Sequence, residues 1–189
     1  MTSVLLKGTI LGGIVLFLWS MLAWAVLPLH TSTLLSFANE EAMTQALIAT
    51  APKSGNYLLP AERLNTQGMT ADQIKTAQQA AMDRMMKGPT MFAAVRLGPV
   101  GSMASYYGAQ VLTQFVCAFL ATLLLLPAKA LSYWGRVAFL VGIALAGGVA
   151  CYIPEWVWWS FSSAYTTANF VDLLVGFFLA GLVIAKVVK

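Results

Sequence analysis

Four long apolar runs, at 8–27, 107–126, 137–153 and 170–188, alternate with polar stretches along this chain. At about 1.5 Å per helical residue each run reaches roughly 25 to 31 Å, close to the ~30 Å hydrocarbon core of a bilayer. The pattern predicts an integral membrane protein, mainly α, with four spanning helices in a transmembrane bundle. The run at 137–153 is the shortest of the four. Composition points the same way: 59% of the 189 residues are apolar and 10% are charged, against roughly half and a quarter in soluble domains.

The first span has a rival reading. Lys7, an apolar stretch and then "AWA" at 23–25 also fit a cleavable secretory signal. The run of 20 residues at 8–27 exceeds the about 7 to 15 of a signal core, so a retained first helix over 1–28 is expected.

The segment 29–106 is polar enough to be soluble and too long for a plain loop. A small α+β or mainly helical domain is therefore predicted between the first and second spans. In "SFANEEAMTQALIATAP", Asn39 or Ser36 serves as N-cap, Glu40 and Glu41 favour the first turn, and Pro52 stops the helix. In "MTADQIKTAQQAAMDRMMKGP", Thr70 and Gln73 have capping-box spacing and Gly88-Pro89 ends the element. Ile74, Ala77, Ala81, Met82 and Met85 form its apolar face. "GNYLLP" and "TMFAAVRL" read as strands or extended pieces flanking that helix, with pairing between them left open. A domain this small buries little apolar surface, so it is expected to lean on the membrane helices.

The net charge of +4 loses its nucleic-acid meaning once divided by segment. Lys7, Lys129, Arg136, Lys186 and Lys189 lie at the two ends and in the turn 127–136, with no acid among them, giving +5. The remaining six Lys/Arg face all seven Asp/Glu, giving −1, in 29–106 and in 154–169 plus Asp172. The asymmetry predicts both termini and the short turn on the cytoplasmic side and 29–106 outside. Four spans satisfy that parity. The region 107–189 then holds three helices, the cytoplasmic turn and an aromatic interfacial segment over 154–169.

Candidate chemistry is sparse. Cys117 and Cys151 are expected at depths about 12 Å apart, beyond the ~7 Å Cα separation a disulfide tolerates, so both read as free thiols. His30 is the single histidine and is expected to end the first helix at the interface. No GxSxG, HExxH or phosphate-binding glycine loop occurs. No catalytic residue, metal ligand set or cofactor site is predicted.

In the second span Gln110, Thr113, Gln114 and Cys117 recur at i, i+3, i+4 and i+7 and line one helical face. Amides in hydrocarbon need partners, so this face is expected to point into the bundle for interhelical hydrogen bonding or for a small polar ligand. Small residues at four-residue spacing, Gly8/Gly12, Gly142/Ala146, Ala144/Gly148 and Gly176/Ala180, predict close helix packing within one chain or between copies. Trp156, Trp158 and Trp159 are expected as anchors at the outer interface, in a short surface or re-entrant helix, and Trp134 as their cytoplasmic counterpart. Asn169 is placed to cap the fourth helix. Asp172 then falls at its third position, favoured by exposed N–H groups and the helix dipole by about 0.3 to 1 kcal/mol; an ion site is the alternative.

"NEEAMTQALIATAPKSGNYLLP", the ending "SSAYTTANFVDLLVGFFLAGLVIAKVVK" and the first span closed by "VLP" resemble a family of small four-span bacterial inner-membrane proteins of unassigned function. The resemblance implies a location in the bacterial inner membrane and no activity. A non-catalytic accessory, assembly or interaction subunit of the envelope is the expected role, with the lipid bilayer and a membrane-protein partner or second copy as its contacts. The alternative is a small transporter or a lipid- or ligand-binding protein using the Gln110/Gln114 face. A membrane enzyme ranks last.

Overall fold

The computed structural model describes residues 2–61 and 66–189. Its elements, in chain order, are α1 (Thr2–Met21), continued by one π-helical stretch (Leu22–Val26), a 3-10 turn (Thr31–Thr33), α2 (Glu40–Thr50), β1 (Gly55–Leu59), α3 (Ala71–Lys87), β2 (Met91–Val95), α4 (Met103–Leu125), α5 (Tyr133–Trp158) and α6 (Ser163–Val187). Four helices, Thr2–Val26, Met103–Leu125, Tyr133–Trp158 and Ser163–Val187, are long and apolar enough to cross a membrane. The chain is a multi-pass membrane protein. Large apolar side chains such as Leu18, Leu112 and Val149 stay exposed along these helices, as a lipid-facing surface requires.

Every spanning helix is longer than the apolar run that predicted it, each starting earlier, at Thr2, Met103, Tyr133 and Ser163, because backbone hydrogen bonding extends beyond the apolar residues. The difference is largest in α5. Its run was expected to end at 153, with a separate aromatic helix after it. Instead α5 carries Pro154 inside and continues to Trp158. A proline one turn from a helix end forfeits a single backbone bond and leaves little helix beyond it to disrupt. The reversal into α6 is then short: Ser160 adopts φ 61, and Ser162 caps α6 by accepting a hydrogen bond from the Tyr165 N–H at 3.1 Å.

The helices and their flanking turns form one compact unit, Met1–Leu35, Val100–Val157 and Phe161–Lys189. Within it α1 packs between α4 and α6, and glycine sets the distance. A Cβ on Gly8 would lie 2.5 Å from Thr122 Cγ2, one on Gly12 2.7 Å from Ile184 Cδ1, and one on Gly13 2.9 Å from the Phe115 ring. Leu16, Ala118, Leu125, Leu140, Ala180 and Ile184 form the core these contacts seal. α5 packs on α6 through Gly148, where a Cβ would meet Phe170 at 2.9 Å. Near the other end of α5 the Tyr133 hydroxyl donates to Leu182 O at 2.9 Å and Arg136 Nε to Ala185 O at 3.1 Å. Arg136 Nη1 also donates to Lys129 O and Leu131 O, each at 3.0 Å. One guanidinium thus satisfies carbonyls of the turn and of the last helix.

Of the predicted small-residue pairs, Gly8/Gly12, Ala144/Gly148 and Gly176/Ala180 are used inside this unit. Gly142 and Ala146 are exposed, and nothing lies within 4 Å of a Cβ built on Gly142.

The second unit comprises Ser36–Pro99 with Trp158–Ser160. Here local chemistry decides each element. Asn39 caps α2, its side chain accepting from the Ala42 N–H at 2.9 Å. Thr70 and Gln73 close the capping box on α3, and Gly88 ends it at φ 67. β1 and β2 pair antiparallel, Tyr57 opposite Ala93, so the two extended pieces do form a hairpin-like sheet across α3. On α3, Ile74, Ala77 and Ala81 are half-buried while Met82 and Met85 remain exposed. Ala51 is the one buried apolar residue of this unit among the described residues.

Candidate functional site

A polar centre lies among the spanning helices where apolar packing would otherwise continue. The π-helical stretch Leu22–Val26 closes α1, and the chain turns back so that His30 is wholly buried. Its Nε2 lies 3.1 Å from Asp172 Oδ2. The His30 ring stacks on Trp24, with centroids 3.9 Å apart and planes 6° from parallel. Trp19 Nε1–H donates to Asp172 Oδ1 at 2.7 Å and to Asp172 O at 3.0 Å. Asp172 therefore takes one N–H from α1 and one from the turn beyond it, and ties both to α6.

A proton on Nε2 faces the carboxylate, which leaves Nδ1 as the ring's acceptor. Nδ1 is buried and has no hydrogen-bond partner. The ring is therefore held from one edge only, through Nε2 and Asp172.

Beside this centre opens a crevice of about 130 Å³, lined by Trp19, Ser20 and Trp24 of the first span, Gln110 and Gln114 of α4, Tyr152 of α5, and Asp172, Gly176 and Phe177 of α6. That is close to the about 150 Å³ cavity that accepts one benzene molecule. Each of the four spanning helices contributes a polar side chain. Gln110 Nε2 donates to Ser20 Oγ at 3.3 Å. Gln114 and the Tyr152 hydroxyl make no hydrogen bond among the described residues, which leaves their capacity directed at whatever fills the space.

Several predicted assignments change. His30 does not simply end a helix at the interface, because it is buried and paired. Asn169 is not the cap of α6: it lies inside the helix and donates to Tyr165 O at 2.9 Å, and Ser162 caps instead. Asp172 consequently sits at the tenth residue of α6, about 14 Å along the axis from Ser163, too far for the exposed N–H groups of the first turn. The stripe on α4 divides. Gln110, itself exposed, and Gln114 line the crevice, Thr113 lies outside it with its hydroxyl bonded to Ala109 O at 2.9 Å, and Cys117 packs against the core. Cys117 and Cys151 are free thiols.

Among the tryptophans, Trp134 and Trp158 stand exposed near the two ends of α5. The Trp156 indole N–H is taken by Ser163 Oγ at 3.1 Å. Trp159, in the second unit, is exposed and lies 5.0 Å from the Phe92 ring. Among the described residues no three His, Cys, Asp or Glu side chains gather to hold a metal ion.

The sequence signal for this centre was present but not interpretable alone. His30 and Asp172 are single ionisable residues next to apolar runs, 142 positions apart, and nothing local couples them. Comparison with family models, curated proteins and solved structures returns no match. The site must speak through its geometry.

Proposed function

We propose that this protein binds a small polar ligand within the membrane, in the crevice bounded by Trp19, Gln110, Gln114, Tyr152 and Asp172, and serves as a small transporter or ligand-binding protein of the bacterial inner membrane. The observation that carries this reading is the convergence of polar side chains from all four spanning helices on one space, two of them without a partner. Intramembrane polar groups are costly to keep and concentrate where something is bound or moved. Substituting both Gln110→Leu and Gln114→Leu should release a small molecule that accompanies the parent protein through purification in mild detergent. Mass spectrometry of the denatured preparations reads this. A folded double variant that retains the molecule at parental stoichiometry would sink the proposal.

The orientation proposed with it puts both termini and the turn 127–136 in the cytoplasm and 29–106 outside, on the +5 against −1 charge division. Cysteine placed at Ser54 should react with an impermeant maleimide in intact spheroplasts, whereas cysteine at Ser132 should react only after permeabilisation. The reverse pattern inverts the topology.

The accessory or interaction role keeps one specific support: the open small-residue face of Gly142 and Ala146 on α5, which suits the close approach of another membrane helix. If that face joins two copies or a partner, Gly142→Leu should shift the purified protein to a smaller assembly on native gels without lowering its own stability. An unchanged assembly removes the support.

A further inference from the structure

We infer that the ligand of this crevice is a small organic cation of the ammonium class, with Asp172 as its counter-ion and the surrounding aromatic rings as its walls. This rests on the ligand-binding reading above and specifies it.

The charge argument comes first. Asp172 is the one carboxyl group lining the crevice, and its side chain retains 22% exposure. Its ion-pair partner among the described residues, His30, is not part of the lining, so the crevice itself presents a carboxylate and no cationic side chain. No lysine or arginine lines the space. Arg136 is bonded to Ala185 O, 13 residues further along α6 and so about 20 Å away along the axis. In a low-dielectric surrounding a wall that holds a carboxylate and no cation selects for a positive ligand and against a negative one.

The walls agree with that sign. Trp19, Trp24, Tyr152 and Phe177 surround the space, and aromatic faces attract ammonium groups within about 6 Å of the ring centroid. The free oxygens of Gln114 and Tyr152 accept hydrogen bonds from an N–H or O–H of the ligand. Trp19 and His30 each donate one N–H to the carboxylate, yet a carboxylate offers about four acceptor positions. Capacity toward the crevice therefore remains. A space of about 130 Å³ admits a molecule of roughly the size of benzene, which limits the cation to a few carbons.

Three probes of similar size and shape separate charge from fit: choline, the neutral 3,3-dimethylbutan-1-ol and the anionic 3,3-dimethylbutanoate. Calorimetric titration into the full chain in lipid nanodiscs should show saturable choline binding, at least about tenfold weaker binding of the alcohol, and none of the anion. Asp172→Asn should bring choline down to the affinity of the alcohol and leave the alcohol unchanged. The selectivity series on the parent protein needs no variant, so the inference stays testable if Asp172→Asn fails to assemble. Equal affinity for choline and the alcohol, or choline binding that survives Asp172→Asn, overturns the cationic class while the crevice remains a ligand site. Absence of binding by all three overturns the inference. If the Gln110/Gln114 double variant still sheds a co-purifying molecule in that case, the broader ligand-binding reading stands; if it does not, both fall.

Discussion

Gly12→Leu should destabilise the folded protein by about 3 kcal/mol or prevent its assembly, the upper end for overpacking a close-packed interior. A Cβ at this position meets Ile184 Cδ1 at 2.7 Å, Ile184 Cγ1 at 2.8 Å and Ala118 Cβ at 3.2 Å. Ile184 and Ala118 are both fully buried, so neither has room to retreat, and α1 must move away from α4 and α6 together. Gly12→Ala distinguishes packing from helix propensity. Alanine in a helix interior is favoured over glycine by about 1 kcal/mol, so a net loss of stability in the alanine variant is a packing effect. Gly108→Ala, on α4 with nothing within 4 Å of the added carbon, should be neutral or stabilising. Equilibrium unfolding in mixed detergent–SDS micelles measures all three, and a Gly12→Leu protein as stable as the parent would refute the close approach of the helices.

Asp172→Leu should cost about 2 kcal/mol, and the two donors it strands contribute unequally. His30 is wholly buried and cannot turn to water, so its orphaned Nε2–H carries the about 1 to 3 kcal/mol penalty of an unsatisfied buried group. Trp19 borders the crevice and can recover a water, so its loss is nearer the ~0.6 kcal/mol average of membrane hydrogen bonds. Asp172→Asn keeps an acceptor for Trp19 and should lose about half as much. Adding His30→Leu to Asp172→Leu removes the stranded ring, and a positive coupling in this double-mutant cycle is expected. If Asp172→Leu matches or exceeds the parent in stability, desolvating the carboxylate outweighs what its bonds return.

What could be read from the sequence follows the range of the forces involved. The four spanning helices are legible because each is encoded in about twenty consecutive apolar residues. The caps of α2 and α3 are legible because Asn39 and the Thr70/Gln73 pair act within three positions of themselves. The extension of α5 through Pro154 was not, since proline marks a stop unless the remaining helix is short. Part of the candidate site was legible: Gln110 and Gln114 were placed on one inward face, and both line the crevice, although Gln110 stays exposed. Their functional neighbours were not. Trp19 meets Asp172 through the packing of α1 on α6, and Trp24 and His30 join them because the π-helical stretch and the following turn fold the chain back. Reading Asp172 as a helix-start carboxylate failed for a related reason. Three serines and two threonines lie within ten residues upstream of Asn169, and Ser162 is the cap.

The central place of α1 has a consequence for biogenesis. Of the four spanning helices it is made first, yet the surfaces that cover its glycine face arrive late: Ala118 is 106 residues behind Gly12, and Ile184 lies 66 residues further still. At about 5 to 20 residues per second of synthesis, α1 waits on the order of ten seconds in the bilayer before α4 follows. Throughout that interval Gly8, Gly12 and Gly13 form a bare, narrow groove open to lipid and to any other newly inserted helix. Correct assembly is thus a race between the chain's own translation and capture by a stranger, and slowing elongation between 29 and 106 should shift the outcome toward the stranger.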